Sequence, residues 1–311
     1  MSPSPRWTLA SMPDLSGKRA LVTGVTSGIG EQTALELARH GAEVVLAARS
    51  EERLDATEAR IMAAVPKAVL HRAIVDLSDL TSVRHGAVRA AAAGPLDILV
   101  NNAGVMATPY SRTVDGFELQ FGTNHLGPFL LTGLLLPQLI ASGAGRVVTV
   151  ASQASRFTRR APLDDPRVHE SRYSRWGSYS RSKLANLLFT FELDRRLREQ
   201  QLPVISLACH PGYSATELMG KSRAGRSGQI LQAVFALVGQ PSSMGALPTL
   251  MAATADLPGS TYVGPSNLFQ MRGLPTTVRP RRLALDPDAQ RILWERSEAA
   301  VGLHYPRPER R

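Results

Sequence analysis

From residue 19 onward, short and nearly continuous apolar runs alternate with stretches of helical period, and this rhythm limits the possible folds more than any other feature. The runs are "RALVTG" (19–24), "EVVLAA" (43–48), "AVLHRAIVD" (68–76), "LDILVNN" (96–102), "GRVVTVAS" (145–152) and "VISLACH" (204–210). A strand with one wet face alternates apolar and polar residues. A run that does not alternate must be covered on both faces, as parallel strands between two layers of helices are. Helices are expected from about Gly28 to His40, over 50–64 and over about 178–200. The chain therefore predicts an α/β fold, a doubly wound parallel sheet with ligands in the crevice beyond the carboxyl ends of its strands. The segments that break the rhythm are 153–175, 213–243 and the Pro/Arg-rich stretch after about 272; the first two follow strand ends and should border a substrate.

Composition narrows the function classes. With 311 residues and 43% apolar content the chain can bury a full core. It has no run of about 18 apolar residues and no secretory-type leader, so neither a membrane span nor export is expected, and a cytoplasmic location is. The single cysteine, Cys209, excludes an intramolecular disulfide. Seven scattered histidines without H-E-x-x-H predict no metal. The net charge of +10 is uneven: residues 1–150 balance 13 Lys+Arg against 13 Asp+Glu, and residues 151–311 carry 23 against 13. The excess could attract an anionic substrate, an anionic lipid surface or nucleic acid, but with 5% aromatics and no recognition motif it reads as a solvated surface.

The first strand runs into "TGVTSGIG" (23–30), which places Gly24, Gly28 and Gly30 at a strand-to-helix turn. Missing side chains let the chain turn tightly and let amides at the helix N-terminus approach a pyrophosphate, so the turn points to a dinucleotide. The pattern is G-x-x-x-G-x-G, and no P-loop motif occurs, which disfavours a triphosphatase. At the end of the second strand, where a carboxylate would bind a ribose 2′-hydroxyl, stands Arg49. A guanidinium there suits a 2′-phosphate, hence NADP(H) in preference to NAD(H), with Arg53 one helical turn on; the bland alternative is an arginine paired with Glu51 or Glu52. Asp76, ending the third strand, can accept from an adenine amino group or cap the helix beginning near Asp79.

In "YSRSK" (179–183), Tyr179 and Lys183 are four residues apart and share a helix face, where a lysine can hold its ammonium near the phenol. A tyrosine can donate a proton to a developing alkoxide only if its pKa falls. A drop of two to three units needs ~3–4 kcal/mol, and one ammonium at ~4 Å supplies about 4 kcal/mol at an effective dielectric near 20.

"TGVTSGIG", "NNAG" (101–104), Asn124 in "TNHLG", Ser152 after "VVTVA", "YSRSK" and "PGYSAT" (211–216) follow one another in the order and spacing of the short-chain dehydrogenase/reductase family, which the chain resembles over about residues 15–265. "NHLGPFLLT" (124–132), the long Ser-to-Tyr separation and "LWERSEAAVGLHY" (293–305) are most similar to its retinol dehydrogenase-like and protochlorophyllide reductase-like branch. The resemblance implies a single-domain, seven-stranded parallel Rossmann fold, flanked by an N-terminal extension (1–14) and a C-terminal extension (266–311) on or near the substrate side. It implies a catalytic set of Asn124, Ser152, Tyr179 and Lys183, with Ser152 holding the substrate oxygen and Asn124 supporting a water beside Lys183. The implied cofactor contacts are Gly24, Thr26, Ser27, Gly28, Ile29, Gly30, Arg49, Asp76, Leu77, Asn101, Asn102, Ala103, Gly104, Tyr179, Lys183, Pro211, Gly212 and Thr216. Glu31 departs from the basic residue that related NADP-preferring proteins often carry after the glycine turn.

The activity implied is hydride transfer between an alcohol and a ketone or aldehyde on an apolar small-molecule substrate; the alternative is a catalytically idle dinucleotide-binding regulator. His125 and His210 adjoin the motifs but read as packed groups. "QILQAVFALVG" (229–239) fits an amphipathic lid or a core-facing helix equally. The Tyr/Lys helix builds homo-oligomers in this family, whereas here the Arg-rich 156–181 region and the long tail stand against that surface, leaving the oligomeric state open.

Overall fold

The structure, a computed structural model, describes residues 6–213 and 240–305. Its sheet contains β1 (Arg19–Thr23), β2 (Glu43–Ala48), β3 (Leu70–Ile74), β4 (Ile98–Asn101), β5 (Gly145–Val150), β6 (Val204–Cys209), β7 (Tyr262–Asn267) and β8 (Arg272–Thr277) in the order β3-β2-β1-β4-β5-β6-β7-β8. β1 to β7 are mutually parallel. The count of seven needs one correction: β8 adds an eighth strand, antiparallel to β7. Neither β7 ("YVGPSN") nor β8 ("RGLPTT") is a continuous apolar run, because each carries Gly and Pro; β8 forms the edge of the sheet and β7 lies between it and β6.

Non-alternating strands do have two buried faces. Successive residues of β1 and β5 feed opposite cores: Leu21 and Val147 pack with Leu130, Leu184 and Leu188, whereas Val22 and Val148 pack with Leu37, Leu207 and Leu250. Helices α1 (Gly28–Arg39), α2 (Glu51–Ala64) and α6 (Ser242–Thr254) contribute to the second core; α3 (Leu80–Ala91), α4 (Gly127–Ala141), α5 (Arg175–Glu199) and α7 (Pro287–Val301) to the first. α5 begins three residues before its expected start because Ser174 caps it, its Oγ accepting from Gly177 N at 3.3 Å. The helical segment 119–141 is broken by a π turn at Gly122–Leu126, which α4 continues.

The sheet order reverses between β1 and β4, opening the crevice where doubly wound folds bind ligands. The chain beyond β7 turns back over α4 and α5. There Trp294 stacks edge-on to Phe129 (centroids 5.0 Å apart) under the Arg196 guanidinium, and Tyr305 Oη donates to Phe129 O at 2.6 Å. This aromatic cluster fastens α7 to the outer side of the helix that carries Tyr179.

Candidate active site

The glycine turn forms as its residue types require. Gly24 and Gly28 have φ of +73° and +63°, in the left-handed region that costs glycine little. Gly24 also passes against Ala103: a Cβ there would stand 2.8 Å from Ala103 Cα. Ser27 is the N-cap residue of α1 but its side chain makes no capping bond, so the first-turn amides from Gly28, Ile29 and Gly30 remain available to an anion. Thr26 lies within the turn. Thr23, which sequence reasoning passed over, fixes the neighbouring loop: its Oγ1 accepts from Asn102 N at 3.0 Å and Ala103 N at 3.1 Å, and Asn102 Nδ2 returns a bond to Thr23 O at 2.8 Å.

The other expected contacts divide. Arg49 is exposed at the end of β2, and among the described residues neither its guanidinium nor that of Arg53 forms an ion pair, with Glu51, Glu52 or any other carboxylate. Glu31 is paired with Arg60 (2.5 Å), which offsets the acidic charge beside the turn. Asp76 does not cap α3. Asp79 does, accepting from Thr81 N and Ser82 N, while Asp76 Oδ1 takes Ser78 N at 2.9 Å and Ser78 Oγ at 2.6 Å. Leu77 is buried beside it. The Asn101 amide is spent away from the turn, donating to Thr132 Oγ1 of α4 at 2.9 Å. Pro211 O accepts from Gln240 Nε2 at 2.7 Å, and Gly212 (φ +68°) passes close to Met271 O. Thr216, most of the 213–243 loop and the 229–239 stretch lie outside the described residues.

The four expected catalytic residues come from three elements. Ser152 follows β5, Asn124 is in the π turn, and Tyr179 and Lys183 are one turn apart on α5. Lys183 Nζ donates to Val150 O at 2.9 Å and lies 5.9 Å from the centroid of the Tyr179 ring. Gly104 adjoins both other elements: a Cβ there would be 2.9 Å from Asn124 Oδ1 and 3.5 Å from Lys183 Nζ. Asn124 is committed on both ends of its amide, accepting from Val105 N at 2.7 Å and donating to Val105 O and Ser182 Oγ, each at 2.9 Å. Its side chain thus ties the "NNAG" loop to α5.

Electrostatically the pair departs from the sequence expectation. Burial moves the Tyr179 phenol up from its ordinary value, and a hydrogen bond from Ser152 pulls the other way. Burial also drops Lys183 to about 8. The two-charge estimate at ~4 Å left out desolvation, which acts on both groups because each is almost fully enclosed. Lys183 is held poised near neutral pH, and its proton is aimed at Val150 O.

Other polar groups near the motifs are committed elsewhere. Tyr173 Oη donates to Thr108 O at 2.7 Å and accepts from Gln120 Nε2, which locks it into the loop before α5. His125 is buried among Phe121, Phe129 and Phe189, one ring nitrogen 2.8 Å from Ser297 Oγ of α7. His210 accepts from Gly212 N at 3.2 Å, and Cys209 packs against Thr249. Sequence reasoning missed Ser182, Asn186 and Val105; the first two share α5 with Lys183, and Asn186 Nδ2 donates to the same Val150 O at 3.3 Å. No group of metal-ligating side chains exists among the described residues.

A family model for short chain dehydrogenases matches residues 18–163. The chain is 38% identical to human retinol dehydrogenase 13 over 304 residues, covering 95% of this chain and 88% of that protein. A crystal structure of an uncharacterised protein from Mycobacterium paratuberculosis, 41% identical, superposes with a TM-score of 0.81 over 97% of this chain and all (100%) of that one. A short chain dehydrogenase from Burkholderia cenocepacia in complex with NADP, 25% identical, superposes with a TM-score of 0.63 over 80% of this chain and 96% of that one. By these similarities the chain belongs to the short-chain dehydrogenase/reductase family and is an NAD(P)-dependent oxidoreductase acting on CH–OH or carbonyl groups.

Proposed function

We propose that the protein interconverts an alcohol and a ketone or aldehyde on an apolar small molecule, with Tyr179 as general acid/base and NADP(H) as the preferred cofactor. The observation that carries this reading is the convergence of Ser152, Tyr179, Lys183 and the Asn124 turn at the carboxyl end of β5, beside the sheet's reversal point. The residues present suit a dinucleotide: uncapped amides at the start of α1 for the pyrophosphate, an unpaired Arg49 for a 2′-phosphate, and Asp76 with a carboxylate oxygen left to accept. When bound, the nicotinamide supplies or accepts the hydride. Ser152 hydrogen-bonds the substrate oxygen and keeps it beside the phenol. Tyr179 gives that oxygen its proton in reduction and takes it back in oxidation. Lys183 stabilises the phenolate that remains, and its lowered pKa lets it pass a proton on near neutral pH. The apolar substrate rests on the relatives named retinol dehydrogenase, whose named substrate is a long apolar alcohol.

Tyr179→Phe is the test. NADPH oxidation with apolar aldehydes should fall by roughly 10²–10⁴-fold, while the NADPH dissociation constant, read by fluorescence, stays within about twofold of the parent, since the phosphates are assigned to the glycine turn and Arg49. Undiminished turnover would remove Tyr179 from the chemistry. NADPH binding without turnover in the parent protein, on every carbonyl tried, would favour an idle dinucleotide-binding regulator.

A further inference from the structure

Two segments on the substrate side, residues 152–163 and 257–285, contain seven arginines and not one carboxylate. They are far apart in sequence but laced together. Gln153 Nε2 donates to Phe269 O at 3.2 Å and to Gln270 Oε1 at 2.9 Å, Arg156 Nη2 donates to Arg279 O at 3.2 Å, and Arg281 Nη1 donates to the carbonyls of Arg156 and Thr158. Arg156, Arg159, Arg160, Arg272, Arg279 and Arg282 are exposed, and among the described residues none of the seven forms an ion pair. On this platform stand three large apolar side chains that folding leaves in water: Phe157 (80% exposed), Leu268 (57%) and Phe269 (95%). Leu268 and Phe269 form the β7–β8 tip with Gln270, at successive φ of +47°, +54° and +66°. Non-glycine residues avoid that region, and three in a row mark a tip held in shape by its surroundings rather than by local preference.

We propose that this platform is a docking surface for an anionic phospholipid bilayer, with Phe157, Leu268 and Phe269 entering the headgroup boundary and the arginines contacting lipid phosphates. Apolar side chains at exposed tips inside a field of unpaired cations match an interface that is apolar a few ångströms down and negative at its surface. A protein interface is likewise enriched in aromatics and arginine, but its core is depleted of charge, whereas these apolar tips stand among cations. Nucleic acid would use the arginines but gains little from an aliphatic tip such as Leu268. The platform is continuous with Ser152 through Gln153, so docking places the substrate side of the sheet against the membrane.

The test is sedimentation of the full chain with vesicles of phosphatidylcholine alone and of phosphatidylcholine containing about one third phosphatidylglycerol, at physiological salt. The parent protein should partition onto the anionic vesicles only. Arg159→Gln/Arg160→Gln/Arg282→Gln should lower its partition coefficient about a hundredfold, at roughly fivefold per arginine. Phe157→Ser/Leu268→Ser/Phe269→Ser should lower it by a comparable factor while leaving the arginines in place. NADPH binding, measured on both triple variants, should match the parent, which separates loss of docking from loss of fold and keeps the test independent of the proposed chemistry. Failure of the parent to bind anionic vesicles overturns the proposal. So does binding that the apolar triple leaves unchanged, or that a short DNA duplex abolishes with no dependence on Phe157, Leu268 and Phe269, because either outcome describes a generic polyanion site.

Discussion

The glycine turn after β1 and the tyrosine helix α5 border the same crevice, but they are built by different means. In the turn, function rests on backbone: glycines at positive φ, amides left uncapped at the start of α1, and one exposed arginine a strand away. Around α5 it rests on buried side chains recruited from distant parts of the chain. Asn124 clamps Val105, the missing side chain of Gly104 leaves room beside Lys183 Nζ, and the outer face of the helix is held by Trp294 and Tyr305 from beyond the last strand. A local device of the first kind can change its specificity without disturbing the fold. A device of the second kind cannot lose a part without loosening its neighbours. Three perturbations would break or sharpen that contrast.

Trp294→Ala should have the largest effect. The indole is 2% exposed, stacks on Phe129 and Phe189, meets Tyr305 at 4.6 Å between centroids and lies under Arg196. Removing a buried ring of this size costs about 3–5 kcal/mol, which urea unfolding would register as a lower midpoint at constant slope. Because the cavity opens behind α5 and the π turn, turnover should fall along with stability. A variant as stable as the parent would mean that α7 is an appendage, and the contrast between the regions would fail on its second half.

Arg49→Asp examines the other half. The side chain is exposed and unpaired among the described residues, so unfolding should be unchanged within about 0.5 kcal/mol. Replacing a charge-assisted contact to a 2′-phosphate by a repulsive one should shift the ratio of NADP to NAD affinity by roughly tenfold to a hundredfold toward NAD. Paired titrations with NADPH and NADH decide it. A ratio that does not move would assign the adenosine end to other residues, Arg53 first.

Much of this was legible in the sequence because the signals are short-range. Non-alternating strands declare a two-faced sheet, a glycine cluster declares a turn, and a tyrosine four residues before a lysine declares a shared helical face; each needs only consecutive residues and the period of its element. Where reading failed, the cause was long-range. β8 is an edge strand, and β7, with which it pairs, also lacks an apolar run. Asn101 looks like its neighbour Asn102 in the chain, but the strand turns its amide toward Thr132 on α4. The desolvation of Lys183 and Tyr179 depends on how completely two helices and a sheet close over them, and spacing along α5 carries no information about that.

The smallest of the three effects concerns acid. His125 and His210 lie in the side-chain-built part of the molecule, and burial holds them down to about 3 and about 4 respectively. A histidine of depressed pKa binds fewer protons folded than unfolded, so its contribution to stability is fully present above the unfolded value near 6.5. It is lost progressively as pH falls below that, until the folded values are reached. Between pH 7 and pH 5 each should withdraw about 2 kcal/mol. Glu118 works the other way, since burial raises its carboxyl and the fold then favours its protonated form at low pH. His125→Phe puts a non-titrating ring beside Phe121, Phe129 and Phe189 at the cost of the Ser297 bond. The variant should be less stable than the parent at pH 7 by about 1 kcal/mol for that bond, yet lose about half as much on acidification. Urea midpoints at pH 7 and pH 5 give both numbers; if parent and variant lose equally, His125 is not buried neutral and the aromatic cluster behind α5 is not the closed environment from which its chemistry is argued.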